Sequence, residues 1–208
     1  MAINPLPNNF RGKYPSSAIA SYSYYDLATG IAYKTLYPTT SLQTSSTVLG
    51  IVTTTDVYSY PQIYSSNGAN QANDFDYDIT FNVPTRVKGD CFISIPIGYG
   101  GSSASVIITF TASLYKVVGV TETLLGTTAT ESKDLGFGAQ SSFIWGIKTN
   151  IPLTSFKSGD KLRLNVTSTS AGSARTVYFF NDPANRTTAM LNNTISQAKI
   201  NLPIKISK

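Results

Sequence analysis

Residues 105–114 read SVIITFTASL, and the apolar residues Val106, Ile108, Phe110, Ala112 and Leu114 fall on every second position, with Thr109, Thr111 and Ser113 between them. A period of two marks a strand with one face buried and one face wet. The same period runs through DFDYDITFNV (74–83), where Phe75, Tyr77, Ile79, Phe81 and Val83 alternate with Asp74, Asp76, Asp78, Thr80 and Asn82. KLRLNV (161–166) turns Leu162, Leu164 and Val166 inward, and AKINLPIKIS (198–207) does so with Ile200, Leu202, Ile204 and Ile206. Pro203 then belongs to the outward face of an edge or terminal strand, since proline has no N–H for a ladder.

Weaker strand runs are SYSYYDL, GIAYKTLY, VTTTDVYSY, CFISIPIGY, VTETLLG, SFIWGIK and TVYFF, punctuated by Gly, Asn, Ser and Pro. No stretch carries a convincing amphipathic helix. Many antiparallel strands in one chain of this size predict an all-β fold: an antiparallel β-sandwich of jelly-roll type, with about ten short strands. No internal repeat is visible, which removes propellers and solenoids. Composition shows no break that would mark two domains, so residues 19–208 are expected to form a single sandwich. Residues 1–18 hold Pro5, Pro7, Pro15, Asn8, Asn9 and Gly12 without any apolar period. They read as an extended N-terminal arm, which either stays mobile or drapes over a neighbour.

A chain of 208 residues can bury roughly 70% of its unfolded surface, so its stability needs no disulfide or metal. The single cysteine, Cys91, lies in DCFISIPIG in phase with Ile93, Ile95 and Ile97, which predicts a small buried apolar residue. Charged residues are 13% of the chain while Ser, Thr, Asn and Tyr abound, giving a neutral, hydroxyl-rich surface suited to packing on protein. The net charge of +5 is spread, with no Lys/Arg run longer than two, unlike the clustered footprint of a nucleic-acid binder. No apolar run is long enough to span a membrane, and MAINPLPNNFRGKYP lacks the apolar centre of a secretory signal, so synthesis in the cytoplasm is expected.

Histidine is absent, which removes the commonest general base and the commonest transition-metal ligand. Asp74, Asp76 and Asp78 share one strand face about 7 Å apart. Two of them could share a calcium ion, but a calcium loop must curl to converge its oxygens, and Phe75 and Tyr77 argue for extended backbone and a solvated face. Neither cofactor nor metal is expected. Nothing in the spacing selects a pair of acids for glycosidase chemistry, and GYGGSS (98–103) reads as a hairpin loop rather than a phosphate cradle. With carboxylates as the whole general-base inventory, no enzymatic activity is expected. The thirteen tyrosines suit a sugar-stacking platform, a protein interface or the core.

The stretch from Phe156 to Thr187 holds two structural turns. SFKSGD places Gly159 at a permissive position with Asp160 capping the turn. NDPANR ends the aromatic run TVYFF, with Asp182 placed to accept backbone N–H bonds and Arg186 to pair with Asp182.

The order LTSFKSGDKLRLNV (153–166), an aromatic strand, then NDPANRT (181–187) resembles a loosely defined family of virus-encoded proteins from tailed and other icosahedral viruses of bacteria and archaea. The Pro- and Asn-rich start, Pro5 to Asn9, and the Tyr-rich segment from Tyr22 to Tyr37 with DLATGIAYKTLY resemble the same family, which often has His at the position of Asn181. The resemblance implies a virion structural protein: a capsid-associated jelly roll (shell, vertex or turret, or decoration component) in several symmetric copies, located in the virion. Its partners would be copies of itself and other virion proteins, without specific nucleic-acid binding. Phe10, Tyr14, Tyr22, Tyr24 and Tyr25 are the expected interface residues. A glycan-binding or host-adhesion module is the alternative.

Overall fold

The computed structural model describes residues 30–43, 46–55, 62–67, 72–100, 106–135, 141–171, 175–186 and 195–206. The fold is all-β: no helix occurs among these residues, and twelve strands form two facing sheets. They are β1 (Ile31–Gln43), β2 (Ser46–Val52), β3 (Gln62–Asn67), β4 (Ala72–Thr80), β5 (Thr85–Gly100), β6 (Val106–Val118), β7 (Thr121–Leu124), β8 (Ala129–Leu135), β9 (Ser141–Phe156), β10 (Lys161–Ala171), β11 (Arg175–Phe180) and β12 (Lys199–Lys205).

One sheet is built on β5, which pairs along its length with β9 and on its other side with β12 and then β11; β1 adds to β12, and β3 to β11. The second sheet runs from β2 through β4, β10 and β6, whose far side carries β7 and β8. Successive strands change between the sheets from β2 to β3, β3 to β4, β4 to β5, β5 to β6, β8 to β9, β9 to β10 and β10 to β11. Strand β1 joins them directly, since Ile31–Leu36 pair with β12 and Tyr37–Gln43 with β2.

The alternating runs supply the core. From β6 come Val106, Ile108, Phe110, Ala112 and Leu114, from β10 Leu162, Leu164 and Val166, and from β5 Cys91, Ile93, Ile95 and Ile97, all buried. Burial pushes the Cys91 thiol up to about 12, so it packs as an apolar side chain. Phe110 stands at the seam, with ring centroids 5.8 Å from Phe143, 6.5 Å from Trp145 and 6.2 Å from Phe179. The cavity between Tyr77, Ile95, Leu164 and Phe179 measures about 10 Å³, room for one water at most.

The structure corrects several expectations. Among the described residues the strands number twelve and are not all short, β5 and β9 having 16 residues each. Residues 53–55 of VTTTDVYSY are a bend, and β4 stops at Thr80, leaving Val83 66% exposed. Gly98–Gly100 belong to β5 instead of a loop, while 101–105 lie outside the described residues. Pro203 does lie in β12, the last described strand, but it is buried inside the sheet between β1 and β5 instead of exposed on an outward or edge face. The ladder between β12 and β5 shifts register between Asn201 and Ile204, and a bulge is a place where a sheet tolerates proline. Strands β2, β3 and β8 went unread; ATESKDL of β8 carries no apolar period because it is an outer strand with charged side chains.

Candidate interaction face

On β5 the inward residues Cys91, Ile93 and Ile95 leave Asp90, Phe92 and Ser94 pointing out. Register places Lys148 of β9, Phe92 of β5, Asn201 of β12 and Thr35 of β1 in one row, with Tyr33 two residues along from Thr35. The rings of Phe92, 42% exposed, and Tyr33, 50% exposed, stand 6.1 Å apart at 46°. A charged trio flanks them. Lys148 Nζ lies 2.7 Å from Asp90 Oδ2, Asn150 Nδ2 donates to Asp90 Oδ1 at 2.7 Å, and Lys148 Nζ sits 5.8 Å from the Phe92 ring centre. The hydrogen bond from Lys148, joined by that from Asn150, lowers the Asp90 pKa, and the same Asp90 contact raises that of Lys148. The result is a wet sheet face bearing paired rings beside fixed donors and acceptors. Of these residues only Phe92 carried a readable signal: a large aromatic on the outward phase of an otherwise apolar-inward run.

The aspartate row of β4 is taken up by ion pairs at Asp76 and Asp78 and by an amide hydrogen bond at Asp74. Arg163 Nε and Nη2 donate to Asp78 Oδ1 and Oδ2 at 2.7 and 2.8 Å, and Arg163 Nη1 lies 2.7 Å from Asp76 Oδ2 and 2.6 Å from Glu122 Oε1. Asn165 Nδ2 donates to Asp76 at 2.8 Å and also to Asp74. The Arg163 hydrogen bond first of all holds the Asp78 carboxyl below its usual range. These carboxylates face cations and amides along an extended strand, which is a poor arrangement for gathering around one metal ion.

The two turns stand where the motifs put them. Gly159 has φ 91°, Asp160 Oδ2 accepts from the Lys157 N–H at 2.8 Å, and Lys116 Nζ lies 3.0 Å from the same carboxylate oxygen. Asp182 is wholly buried. Its Oδ1 accepts from Ala184 N at 3.1 Å and Arg186 Nη2 at 2.9 Å, and its Oδ2 from Arg186 N and Nε, both at 2.8 Å. Asn185, at φ 54°, accepts from the N–H groups of Ser196 and Gln197 at 3.0 and 3.2 Å, tying the turn to the approach of β12. Asn181 is buried with its Nδ2 on Thr40 Oγ1. Phe10, Tyr14, Tyr22, Tyr24 and Tyr25, with the whole arm, lie outside the described residues.

No family model matches the chain, and neither does any curated protein. Among solved structures it is similar to an aminopeptidase from a marine sediment Thaumarchaeota archaeon, at 10% identity and TM-score 0.51 over 86% of this chain and 37% of that one. It is also similar to a CocE/NonD family hydrolase from Staphylococcus aureus (12% identity, TM-score 0.49, 84% of this chain and 37% of that one). A third likeness is to a structure of infectious bursal disease virus, Gx strain (12% identity, TM-score 0.27, 81% and 42%). The chain thus spans 37% of the length of each of the two hydrolases. At 10% identity and TM-score 0.51 the likeness to the aminopeptidase is one of fold. It nevertheless overturns the expectation of a chain without enzymatic activity. That expectation rested on the side-chain inventory alone, and this fold occurs within a protein that is an aminopeptidase.

Proposed function

We propose that the chain is a virion structural protein, a capsid-associated β-sandwich that meets copies of itself and other virion proteins in a symmetric assembly. The observation that carries this reading is the exposed apolar surface set on rigid strands of the β5 sheet: Tyr33, Phe92, Ile144 and Leu153 are each at least 42% exposed. Aromatic and aliphatic side chains on a fixed backbone lose little entropy when a partner covers them. The resemblance of LTSFKSGDKLRLNV and NDPANRT to virus-encoded proteins points the same way. Mass spectrometry of purified particles tests the assignment directly: the chain is expected in stoichiometric amounts, and its absence ends the reading.

The N-terminal arm belongs to the same proposal, with Phe10 and Tyr14 as anchors on a neighbouring subunit. Deleting residues 1–18 is expected to leave the monomer's melting temperature unchanged while cutting incorporation into particles. Aromatic anchors commonly cost about 2 kcal/mol or more when lost. Incorporation at the wild-type level would transfer the contacts to the strand face.

The Tyr33–Phe92 pair favours a second reading, a glycan-binding or host-adhesion module. Rings can stack on a pyranose face while Asp90, Asn150 and Lys148 meet its hydroxyls. A glycan array giving one strong hit that Phe92→Ala abolishes would support it, and a blank array would discard it.

A further inference from the structure

The basic residues are spread along the sequence, but the fold gathers them by sheet. On β6, β8 and β10 the cations are matched by carboxylates: Lys116 Nζ lies 3.0 Å from Asp160, Lys133 Nζ 2.6 Å from Glu131 and Lys161 Nζ 3.5 Å from Asp78, and Arg163 is held by Asp76, Asp78 and Glu122. The strands of the β5 sheet are different. Asp90 is their one acid among the described residues, and it is taken by Lys148 and Asn150. Arg86, Lys88, Lys199 and Lys205 make no ion pair among the described residues.

Register sets these unmatched cations around the exposed rings. Lys199 pairs with Ser94, which shares the outward phase of Phe92, and on β12 Lys199, Asn201 and Lys205 share one phase. Lys205 pairs with Ile31, two residues along from Tyr33 on the same phase of β1. Arg86 and Lys88 flank the wholly buried Val87 and are exposed, as is Lys205, while Lys199 is half-buried. A diagonal neighbour on the next strand stands about 8 Å away, Cα to Cα, which is the spacing of Lys199 from Phe92 and of Lys205 from Tyr33. Lys199 and Lys205 themselves span about 20 Å along the face.

We propose that this face binds single-stranded nucleic acid without sequence preference, with bases stacked on Phe92 and Tyr33 and phosphates on Lys199, Lys205, Arg86 and Lys88. Cations without a carboxylate partner, held on a rigid sheet, match a string of phosphates and release its counterions on binding. The open rings favour a single strand over a duplex, because a duplex keeps its base faces stacked inside while a single strand can lay them on aromatic side chains. The span from Lys199 to Lys205 suits about four nucleotides, the lower end for a single-strand-binding fold. Lys148 is neutralised by Asp90 and stays out of the phosphate set. The rings are those of the glycan reading, but a neutral sugar would leave the surrounding cations unmatched. The proposal does not rest on the virion reading.

Fluorescence anisotropy of the full chain with a labelled oligothymidylate tests it. Four phosphate contacts predict an affinity that falls about 50-fold between about 50 and 200 mM salt. Phe92→Ala is expected to weaken binding about 10-fold, and Tyr33→Ala repeats the ring test on a separate strand. Lys199→Gln and Lys205→Gln should each flatten the slope of log affinity against log salt by about 0.7, and Lys161→Gln, on the opposite sheet, should change nothing. Absence of binding at the lower salt, a duplex bound as tightly as the single strand, or equal losses from Lys161→Gln and Lys199→Gln overturns the proposal. Binding that both ring variants leave intact overturns it as well, and heparin then bound more tightly than the oligothymidylate would assign the face to a sulfated glycan. Particles that lack the chain sink the virion reading and leave this one standing.

Discussion

Phe110→Ala is expected to cost about 4 kcal/mol and to lower the melting temperature by roughly 10 °C or more, read from thermal and denaturant unfolding. Phe110 has no exposed surface. Its ring comes from the second sheet, while Phe143, Trp145 and Phe179 around it come from the first. Truncation therefore removes the transfer free energy of the ring and opens a void that two sheets pinned by their ladders cannot collapse to fill. The loss is a large share of the 5–15 kcal/mol typical of a domain. A drop of only a degree or two would mean that the sheets approach one another more freely than this packing implies.

Asp182→Asn comes next, at about 3 kcal/mol. The substitution keeps the shape of the side chain but puts an NH₂ where one carboxylate oxygen stood, facing N–H donors of Arg186 or of Ala184 and Arg186. A buried donor against donors loses its bonds and gains repulsion. The variant also changes the acid limb of stability. Burial by itself raises the Asp182 pKa, but the side-chain bonds from Arg186 and the backbone bonds from Arg186 and Ala184 outweigh it and hold it low. A carboxyl lowered by folding contributes stability above its unfolded pKa of about 3.9, and loses it as pH falls through the folded value. The wild type should therefore weaken below about pH 4, and Asp182→Asn should show a flatter acid limb. Equal acid limbs would mean that Asp182 contributes nothing to pH sensitivity.

Strand assignment was most legible where one face is buried and the other wet. Val106 to Leu114 and Leu162 to Val166 carry their burial in their spacing, because a period of two is a property of the backbone and needs no partner to be read. The turns were legible for the same local reason. Gly159 at positive φ, and Asp182 reaching N–H groups two and four residues on, involve only chain neighbours. Cys91, in phase with Ile93, Ile95 and Ile97, was legible as a buried residue in the same way.

Long-range pairing was not legible. Tyr33 and Phe92 meet because β12 lies between β1 and β5, and nothing in either segment names that neighbour. Pro203 looked like an edge residue, yet the register shift opposite it allows a proline in a central strand. β9 reads like any half-buried strand in sequence. Among the described residues it is an edge because β12 and β11 occupy the other side of β5, and the segment at Gly126 lies against its far half, at Thr149 and Asn150. Side-chain alternation is encoded residue by residue, but strand order and edge exposure are decided by which distant surfaces bury most apolar area together, a sum over the whole chain that no single window contains.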